Sequence, residues 1–181
     1  LQNETAPRVI AMLKGAMEQL RVGDATLLST DVGPVITEDA REIIERHVAR
    51  MEASGCRVTR FPLPSACAQG SFVAPTLIEI DRIDQLGAEV FGPVVHVLRF
   101  REDRLEATVD AVNATGYGLT FGVHTRIDDT VNRVVGRSEA GNLYVNRNLI
   151  GAVVGSQPFG GTGLSGTGPK AGGPLILHRL R

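Results

Sequence analysis

The chain has no tryptophan, only two cysteines, and few aromatic residues, which make up 4% of its 181 residues. Two cysteines cannot build a disulfide framework, and no CxxC pattern or histidine pairing provides metal-ligand spacing. We therefore predict no metal site. The histidines lie tens of residues apart, which favours surface or core positions over metal ligation: His47, His96, His124 and His178.

The sequence also lacks a large excess of positive or negative charge. Its formal net charge is −1, and the lysines and arginines are scattered along the chain. Such a sequence lacks the basic patch that marks a nucleic-acid or anionic-membrane surface. It also lacks the ~20-residue apolar run of a membrane-spanning helix and the basic and apolar regions of a signal peptide. We therefore expect a cytoplasmic protein, or a segment of one, whose partners are small molecules rather than nucleic acid.

The sequence does contain alternating helical and extended patterns, with 43% hydrophobic and 22% charged residues, as in a soluble domain with one core. Apolar residues at helical spacing predict four helices. Three begin near Thr5, Thr37 and Leu105, and the fourth is capped by either Asp128 or Asp129. Extended patterns predict strands over 57–61, 72–80, 94–100, 120–125 and 142–145. Alternation of this kind indicates the α/β class, with a mostly parallel sheet and flanking helices.

The first two helices carry the clearest boundary signals. Thr5 and Pro7 suit a cap followed by an early-turn proline, and this helix is expected to end near Gly23. Thr37 suits the cap of the second helix, and Gly55 suits its end. The predicted apolar face of this second helix is Ile43, Ile44, Val48 and Met51.

Glycine and proline dominate the sequence from Arg147 onward. Long irregular segments in a domain are uncommon unless they bind or gate something, so residues 147–174 are the strongest local indication of function. The alternative interpretation of this segment is a flexible C-terminal tail.

Residues 161–166 match the G-x-G-x-x-G pattern of dinucleotide-binding folds, but we reject that interpretation. The fingerprint needs a preceding strand, a following helix and an acidic residue about 20 positions further on. Glycine and proline at 168–174 oppose the helix, and no Gly-Lys-Ser/Thr follows at the interval of a P-loop.

Four other segments occur in a characteristic order: DVGPVI at 31–36, EVFGPV at 89–94, GYGLT at 116–120 and QPFGG at 157–161. Their order and spacing resemble the catalytic domain of the aldehyde dehydrogenase superfamily. Three further stretches resemble its Δ1-pyrroline-5-carboxylate dehydrogenase branch: TFGVHTR at 120–126, NLYVNR at 142–147 and SGTGPKAGGP at 165–174. The last is most similar to the bifunctional proline utilisation A flavoenzymes.

The resemblance covers almost the whole chain and implies one partial catalytic domain over 1–181. It implies a parent enzyme that oxidises L-glutamate γ-semialdehyde to L-glutamate with NAD, the second step of proline catabolism. FAD would occur only in a separate proline dehydrogenase domain, if the parent is bifunctional. The parent would be a homo-oligomer. The alternatives are a catalytically silent binding or assembly module, and an aldehyde dehydrogenase of other specificity.

For the cofactor, the resemblance implies that Glu89 accepts hydrogen bonds from the nicotinamide ribose and that Phe91 packs beside the nicotinamide. A carboxylate is a good acceptor for a vicinal diol, and the turn at Gly92-Pro93 could present it. The alternatives are a solvated carboxylate for Glu89 and a core position for Phe91.

For the substrate, residues 150–153 resemble the family's aldehyde anchor, in which backbone N–H groups hold the α-carboxylate. Gly151 and Ala152 suit that role because small side chains let an anion approach the main chain. Phe159 would form a wall of the site, and Arg147 suits either a carboxylate clamp or an exposed charge. An ordinary turn at 151–152 and simple burial of Phe159 are the alternatives.

Neither cysteine lies in a sequence that matches the family's glycine-rich nucleophile motif. We therefore expect Cys56 and Cys67 to be structural or exposed thiols. The nucleophile, the general base, the oxyanion-hole asparagine and the Rossmann-like NAD domain are expected upstream of Leu1, and the chain alone is predicted to be inactive.

Overall fold

The structure is a computed structural model that describes residues 1–151, 157–166 and 177. It divides into two compact units, residues 1–100 and 101–181. Each unit contains helices and paired strands, and the predicted α/β class is confirmed. The assignment of 1–181 to one partial catalytic domain stays a prediction.

The helices are α1 (Ala6–Glu18), α2 (Glu38–Ala53), α3 (Leu105–Asn113) and α4 (Asp128–Arg137). The strands are β1 (Arg57–Arg60), β2 (Thr76–Ile80), β3 (Val94–Leu98), β4 (Tyr117–Gly118), β5 (Thr120–Val123), β6 (Asn142–Val145) and β7 (Thr162–Gly163). Each predicted helix and strand is present, generally shorter than its apolar pattern because the ends enter turns.

The sheet of the first unit has the order β1-β2-β3. Strand β2 pairs antiparallel with β1 and parallel with β3. In the second unit β5 and β6 are parallel, whereas the two-residue strands β4 and β7 are antiparallel. Strand direction in the described residues is therefore mixed, with the longest pairing, between β2 and β3, being parallel.

Strand β2 is buried on both faces, and each face contacts a different hydrophobic cluster. Leu77 packs with the buried face of α1, whereas Ile78 and Ile80 pack with the buried face of α2. Leu77 and Ile78 are both 0% exposed. A central strand with both faces covered explains the nearly continuous apolar sequence TLIEI, since alternation is expected only where one face meets water.

Helix α1 begins after Thr5, but the Thr5 side chain does not cap it. Its hydroxyl instead donates to the Gln2 carbonyl at 3.1 Å. The helix ends at Glu18 rather than near Gly23, because the following chain turns to form a β-bridge between Val22 and Val32.

Helix α2 begins as predicted, since the Thr37 hydroxyl accepts a hydrogen bond from the Ala40 N–H at 3.1 Å. Gly55 follows its end with φ +82°, a conformation that favours glycine. The predicted apolar face is wrong at one position, because Ile43 is 55% exposed. The side chains that share the buried stripe are Ile44, His47, Val48 and Met51.

In the second unit, α3 and α4 are joined by two ion pairs, Glu106 with Arg133 and Asp110 with Arg137. Helix α4 begins at Asp128 with Ile127 at the cap position, so neither Asp128 nor Asp129 is its cap. These aspartates instead lie in the first turn, where a negative charge is favourable next to the helix dipole.

Within the described ranges, no helix is long and apolar enough to cross a membrane. The same residues contain no group of three or more His, Cys, Asp or Glu side chains placed to hold a metal ion.

Glu79 on β2 is largely buried, with 12% of its side chain exposed, and faces three cationic side chains. Its Oε2 accepts a hydrogen bond from Arg99 Nη2 at 2.6 Å. Its Oε1 lies 3.7 Å from Arg57 Nη1 and 3.9 Å from Lys14 Nζ, but among the described residues it accepts no hydrogen bond. The carboxylate therefore neutralises positive charge contributed by α1, by β1 and by Arg99, the residue that follows β3.

We predict that Glu79→Gln lowers the free energy of unfolding by about 1–3 kcal/mol, because it keeps the shape but leaves three cations without their counter-charge. Urea denaturation followed by circular dichroism measures the loss. Glu45→Gln is the control, since Glu45 and its partner Arg60 are about a third exposed, and it should cost below ~1 kcal/mol. An equal loss in both variants would contradict the prediction.

His47 and His96 form a pair, with their Nε2 atoms 2.8 Å apart. Arg50 Nη2 lies 3.0 Å from His47 Nδ1, and a guanidinium can only donate, so His47 Nδ1 must accept. The His47 proton then lies on Nε2 and points at His96 Nε2, which leaves the His96 proton on Nδ1. Both rings are therefore neutral in this arrangement.

Burial lowers the pKa of His96 to about 4, with smaller contributions from the charges of His47 and Arg50. Burial and the Arg50 charge also lower the pKa of His47. The ordinary histidine pKa of about 6.5 holds in the unfolded chain, so unfolding takes up protons below that pH. The stabilising contribution is complete above about pH 6.5 and is lost as the pH falls towards 4.

We therefore expect the urea midpoint to fall between about pH 6.5 and 4, and His96→Gln to reduce that dependence. Denaturation curves at four or five pH values test this. His124→Gln serves as the comparison because His124 is exposed. A pH dependence unchanged in His96→Gln would show that other groups cause it.

Candidate functional site

The EVFGP segment forms a tight turn directly before β3. Within it the Val90 carbonyl accepts from the Gly92 N–H at 3.1 Å, and the Gly92 carbonyl accepts from the Val94 N–H at 2.8 Å. A Cβ on Gly92 would overlap the side chain of Ile44, which is buried on α2. Any side chain at this position would force the Ile44 side chain to move, so glycine favours a turn that lies directly against α2.

Glu89 and Phe91 are both exposed on this turn. The Phe91 ring is 86% exposed, so the alternative of a core position for Phe91 is excluded in this structure. An exposed aromatic ring and a carboxylate two residues apart provide an apolar face and a hydrogen-bond acceptor. Both groups fit the nicotinamide end of NAD, since a ring can pack on the base and a carboxylate can bind ribose hydroxyls.

In the second unit, the chain leaves β6 at Asn146, which has φ +53°. Its side-chain amide holds Thr125 at both backbone groups: Oδ1 accepts from the Thr125 N–H and Nδ2 donates to the Thr125 carbonyl, each at 2.9 Å. Asparagine tolerates the left-handed conformation better than most residues. This arrangement directs the chain from the end of β6 towards the predicted substrate segment.

Gly151 is half-buried at the start of that segment. Its carbonyl lies 3.5 Å from the hydroxyl of Tyr144, which also accepts a hydrogen bond from Gln157 Nε2 at 3.0 Å. The exposed Arg147 does not extend away from the fold, because its guanidinium carbon lies 4.3 Å above the Tyr144 ring centre. Sequence reasoning did not identify Tyr144 or Gln157 as site residues, although each lies within a stretch that carried the resemblance.

Phe159 is half-buried and follows Gln157 in the QPFGG segment. The next residue, Gly160, accepts a hydrogen bond from Asn142 Nδ2 at 3.0 Å, and the same amide donates to the Leu119 carbonyl at 2.9 Å. Asn142 is 5% exposed, so a buried side chain of β6 holds this segment in place.

The glycines at 161–166 serve close backbone contacts rather than a dinucleotide fingerprint. Thr162 and Gly163 form β7, which pairs antiparallel with β4. Gly163 has φ +58°, and a Cβ on Gly161 would lie 2.5 Å from the Ser165 carbonyl oxygen. Small residues are needed here because the chain folds back on itself within a few residues.

Ala152, predicted as a substrate-binding residue, lies outside the described residues, as do residues 153–156 and 167–176. The predicted cofactor residues Glu89 and Phe91 belong to the first unit, and Gly151 and Phe159 belong to the second. The roles assigned to all five residues stay predictions.

Each cysteine sulfur lies near a polar group of the first unit. The Cys56 sulfur lies 3.6 Å from Gln85 Nε2, and the buried Cys67 thiol lies 3.7 Å from the Val22 carbonyl. Cys67 lines a mainly apolar cleft of about 320 Å³ in the first unit, together with Gly23, Asp24, Ala25, Pro34, Ala66 and Phe72. Neither Glu89 nor Phe91, the predicted cofactor residues of this unit, lines the cleft.

The chain is similar to named proteins along nearly its whole length. The bifunctional protein PutA of Klebsiella aerogenes is 55% identical over 185 residues, which cover 99% of this chain and 14% of that protein. The 1-pyrroline-5-carboxylate dehydrogenase of Geobacillus kaustophilus is 37% identical, covering 97% of this chain and 33% of that protein. The chain therefore spans about a seventh of the first relative and a third of the second.

Solved structures give the same result for the fold. A mutant of proline utilization A from Bradyrhizobium japonicum matches with a TM-score of 0.91 and 50% identity, over 98% of this chain and 18% of that chain. Betaine aldehyde dehydrogenase from Staphylococcus aureus matches with a TM-score of 0.85 and 25% identity, over 98% of this chain and 36% of that chain. The family model described as "Aldehyde dehydrogenase family" matches residues 1–180, and the chain belongs to that family.

Proposed function

We propose that this chain is part of a protein that oxidises L-glutamate γ-semialdehyde to L-glutamate with NAD, in proline catabolism. The main support is similarity across at least 97% of the chain to proteins named PutA and 1-pyrroline-5-carboxylate dehydrogenase. Geometry adds support, because the carbonyl of Gly151, where the predicted substrate segment begins, lies 3.5 Å from the hydroxyl of the buried Tyr144, and the Arg147 guanidinium lies over the same ring.

On the substrate side, backbone N–H groups of Gly151 and Ala152 bind the α-carboxylate, and Phe159 contacts the aliphatic part. Gly151 is half-buried, and the exposed Arg147 guanidinium lies nearby on the Tyr144 ring. A positive charge close to the segment favours a substrate that carries a carboxylate.

On the cofactor side, Glu89 accepts hydrogen bonds from the nicotinamide ribose and Phe91 packs beside the nicotinamide. The exposure of both groups on one turn supports this role. NAD, when bound, supplies the hydride acceptor of the reaction. The proposal assigns binding and orientation of the reactants to the residues of this chain, because neither Cys56 nor Cys67 lies in a sequence that matches the family's nucleophile motif.

The wider assignments are part of the same proposal. The parent protein is a cytoplasmic homo-oligomer, and FAD belongs to a separate proline dehydrogenase domain if the parent is bifunctional. An aldehyde dehydrogenase of other specificity is the second candidate, supported by the similarity to betaine aldehyde dehydrogenase.

The assay that tests the function compares L-glutamate γ-semialdehyde with propanal, using the full-length protein and NADH formation. We expect a clear preference for the semialdehyde and competitive inhibition by L-glutamate, because the product keeps the α-carboxylate. The 181-residue chain assayed alone should give only background. Equal turnover of both aldehydes without inhibition by glutamate would favour the second candidate. If the isolated chain is active and Cys56→Ser or Cys67→Ser abolishes that activity, the assignment of the cysteines is wrong.

Glu89→Gln tests the cofactor role in the full-length protein. A charge-assisted hydrogen bond becomes a neutral one, so the expected loss is about 1–2 kcal/mol, or roughly a five- to thirtyfold rise in the KM for NAD. The KM for the aldehyde should change little. Asp84→Asn removes an exposed carboxylate paired with Arg82 in the same unit and should alter neither value. If Glu89→Gln leaves NAD kinetics unchanged, Glu89 is a surface carboxylate.

A further inference from the structure

The turn that carries Glu89 and Phe91 rests on helix α2. The turn itself lies in neither a helix nor a strand. Val90, between the two exposed residues, packs against the hydrophobic cluster that contains Ile44 of α2. Gly92 lies so close to Ile44 that a Cβ on it would overlap that side chain. The inner side of the turn therefore faces α2, and the outer side presents the carboxylate and the aromatic ring.

Arg50 of α2 holds the chain just before this turn. Its Nη2 donates to the Leu86 carbonyl at 3.1 Å, and a Cβ on Gly87 would lie 3.6 Å from its Nη1. The same Nη2 donates to His47 Nδ1 at 3.0 Å. A guanidinium Nη2 carries two protons, so it can make both hydrogen bonds at once. Arg50 thus connects the chain that enters the turn to a second residue of α2.

His47 continues this connection to the strand that follows the turn. Its Nε2 lies 2.8 Å from Nε2 of His96 on β3, and pairing with β2 fixes the position of β3. Ile44, His47 and Arg50 are spaced three residues apart, so they lie along one side of α2. That side therefore contacts the chain before the turn, within it and after it.

We propose that Arg50 and the histidine pair of α2 and β3 position the turn for the nicotinamide end of NAD. The proposal rests on the proposed function, which assigns ribose binding to Glu89 and nicotinamide packing to Phe91. The histidine pair fixes α2 against β3, and Arg50 fixes the start of the turn against α2. Loss of either connection lets the turn shift, and a hydrogen bond to the ribose weakens steeply as its distance and angle change.

This role predicts a loss confined to one half of the cofactor. ADP contains the adenine, the adenosine ribose and the diphosphate of NAD, but neither the nicotinamide nor its ribose. A displaced turn should therefore weaken the binding of NADH and leave the binding of ADP unchanged. A general loosening of the fold would weaken the binding of both ligands.

The experiment uses the full-length protein and compares Arg50→Met with Arg46→Met. Arg46 is also on α2, but its side chain is 70% exposed and pairs with Glu42. We expect Arg50→Met to raise the dissociation constant of NADH, measured by fluorescence titration, and the KM for NAD by roughly three- to tenfold. The inhibition constant of ADP against NAD and the KM for the aldehyde should stay within about twofold. Arg46→Met should alter none of these values.

His96 offers a second pair of variants, which tests the proposal if Arg50→Met folds poorly. Glutamine places an amide oxygen that can still accept from His47 Nε2, whereas leucine has no acceptor. We expect His96→Leu to weaken NADH binding without affecting ADP binding, and His96→Gln to bind both ligands as the wild type does.

A mutant cycle tests whether Arg50 acts through the turn. In a protein that already carries Glu89→Gln and Phe91→Ala, Arg50→Met should cause no further loss of NADH affinity, because the groups that it positions have been replaced.

Equal losses for NADH and ADP, no loss in Arg50→Met or His96→Leu, or an additive loss in the triple variant would overturn the proposal. A loss in His96→Gln equal to that in His96→Leu would also overturn it. If Glu89→Gln itself leaves NAD kinetics unchanged, the cofactor role in the proposed function is wrong and this inference fails with it. A loss in Glu89→Gln without one in Arg50→Met overturns this inference alone.

Discussion

The burial of strand β2 on both faces is the constraint on which the first unit depends. Leu77 and Ile78 face opposite clusters, so α1 and α2 must cover opposite faces of the same sheet. The register of β2 with its neighbours then places Glu79 beside Arg57 and places Val94 opposite Thr76. The EVFGP turn has to end at Val94, and this requirement brings the exposed Phe91 to its position.

Strand β6 has a comparable role in the second unit, although it acts through hydrogen bonds rather than apolar contacts. Asn142 and Tyr144 are both buried, as expected for alternate residues of a strand, and their polar ends bind Gly160 and Gly151. Asn146, just beyond the strand, binds the backbone of Thr125. Polar side chains on β6 and just beyond it thus hold the backbone of other parts of the second unit.

Membership of the aldehyde dehydrogenase family gives these two arrangements a common interpretation. The proposed function assigns dinucleotide binding to the exposed Glu89 and Phe91 of the first unit, and carboxylate binding to the backbone that begins at Gly151 in the second. The chain that contains them spans about a seventh of PutA from Klebsiella aerogenes. The first unit also contains the ion pair between the largely buried Glu79 and Arg99, and the neutral pair of His47 with His96.

The sequence alone predicts the α/β class, the order of the four helices and five longer strands, the Thr37 cap and the family. These features depend on local periodicity, on caps and on motifs that are contiguous in the chain. It did not determine that Ile43 is exposed while His47 is buried, because a helix stripe can rotate by one position and only the partner surface selects it. It also did not reveal the link from Gln157 through Tyr144 to Gly151, or the pairing of His47 with His96. Each of these contacts joins side chains that only strand register and helix packing bring within hydrogen-bond distance, so the tertiary structure alone decided them.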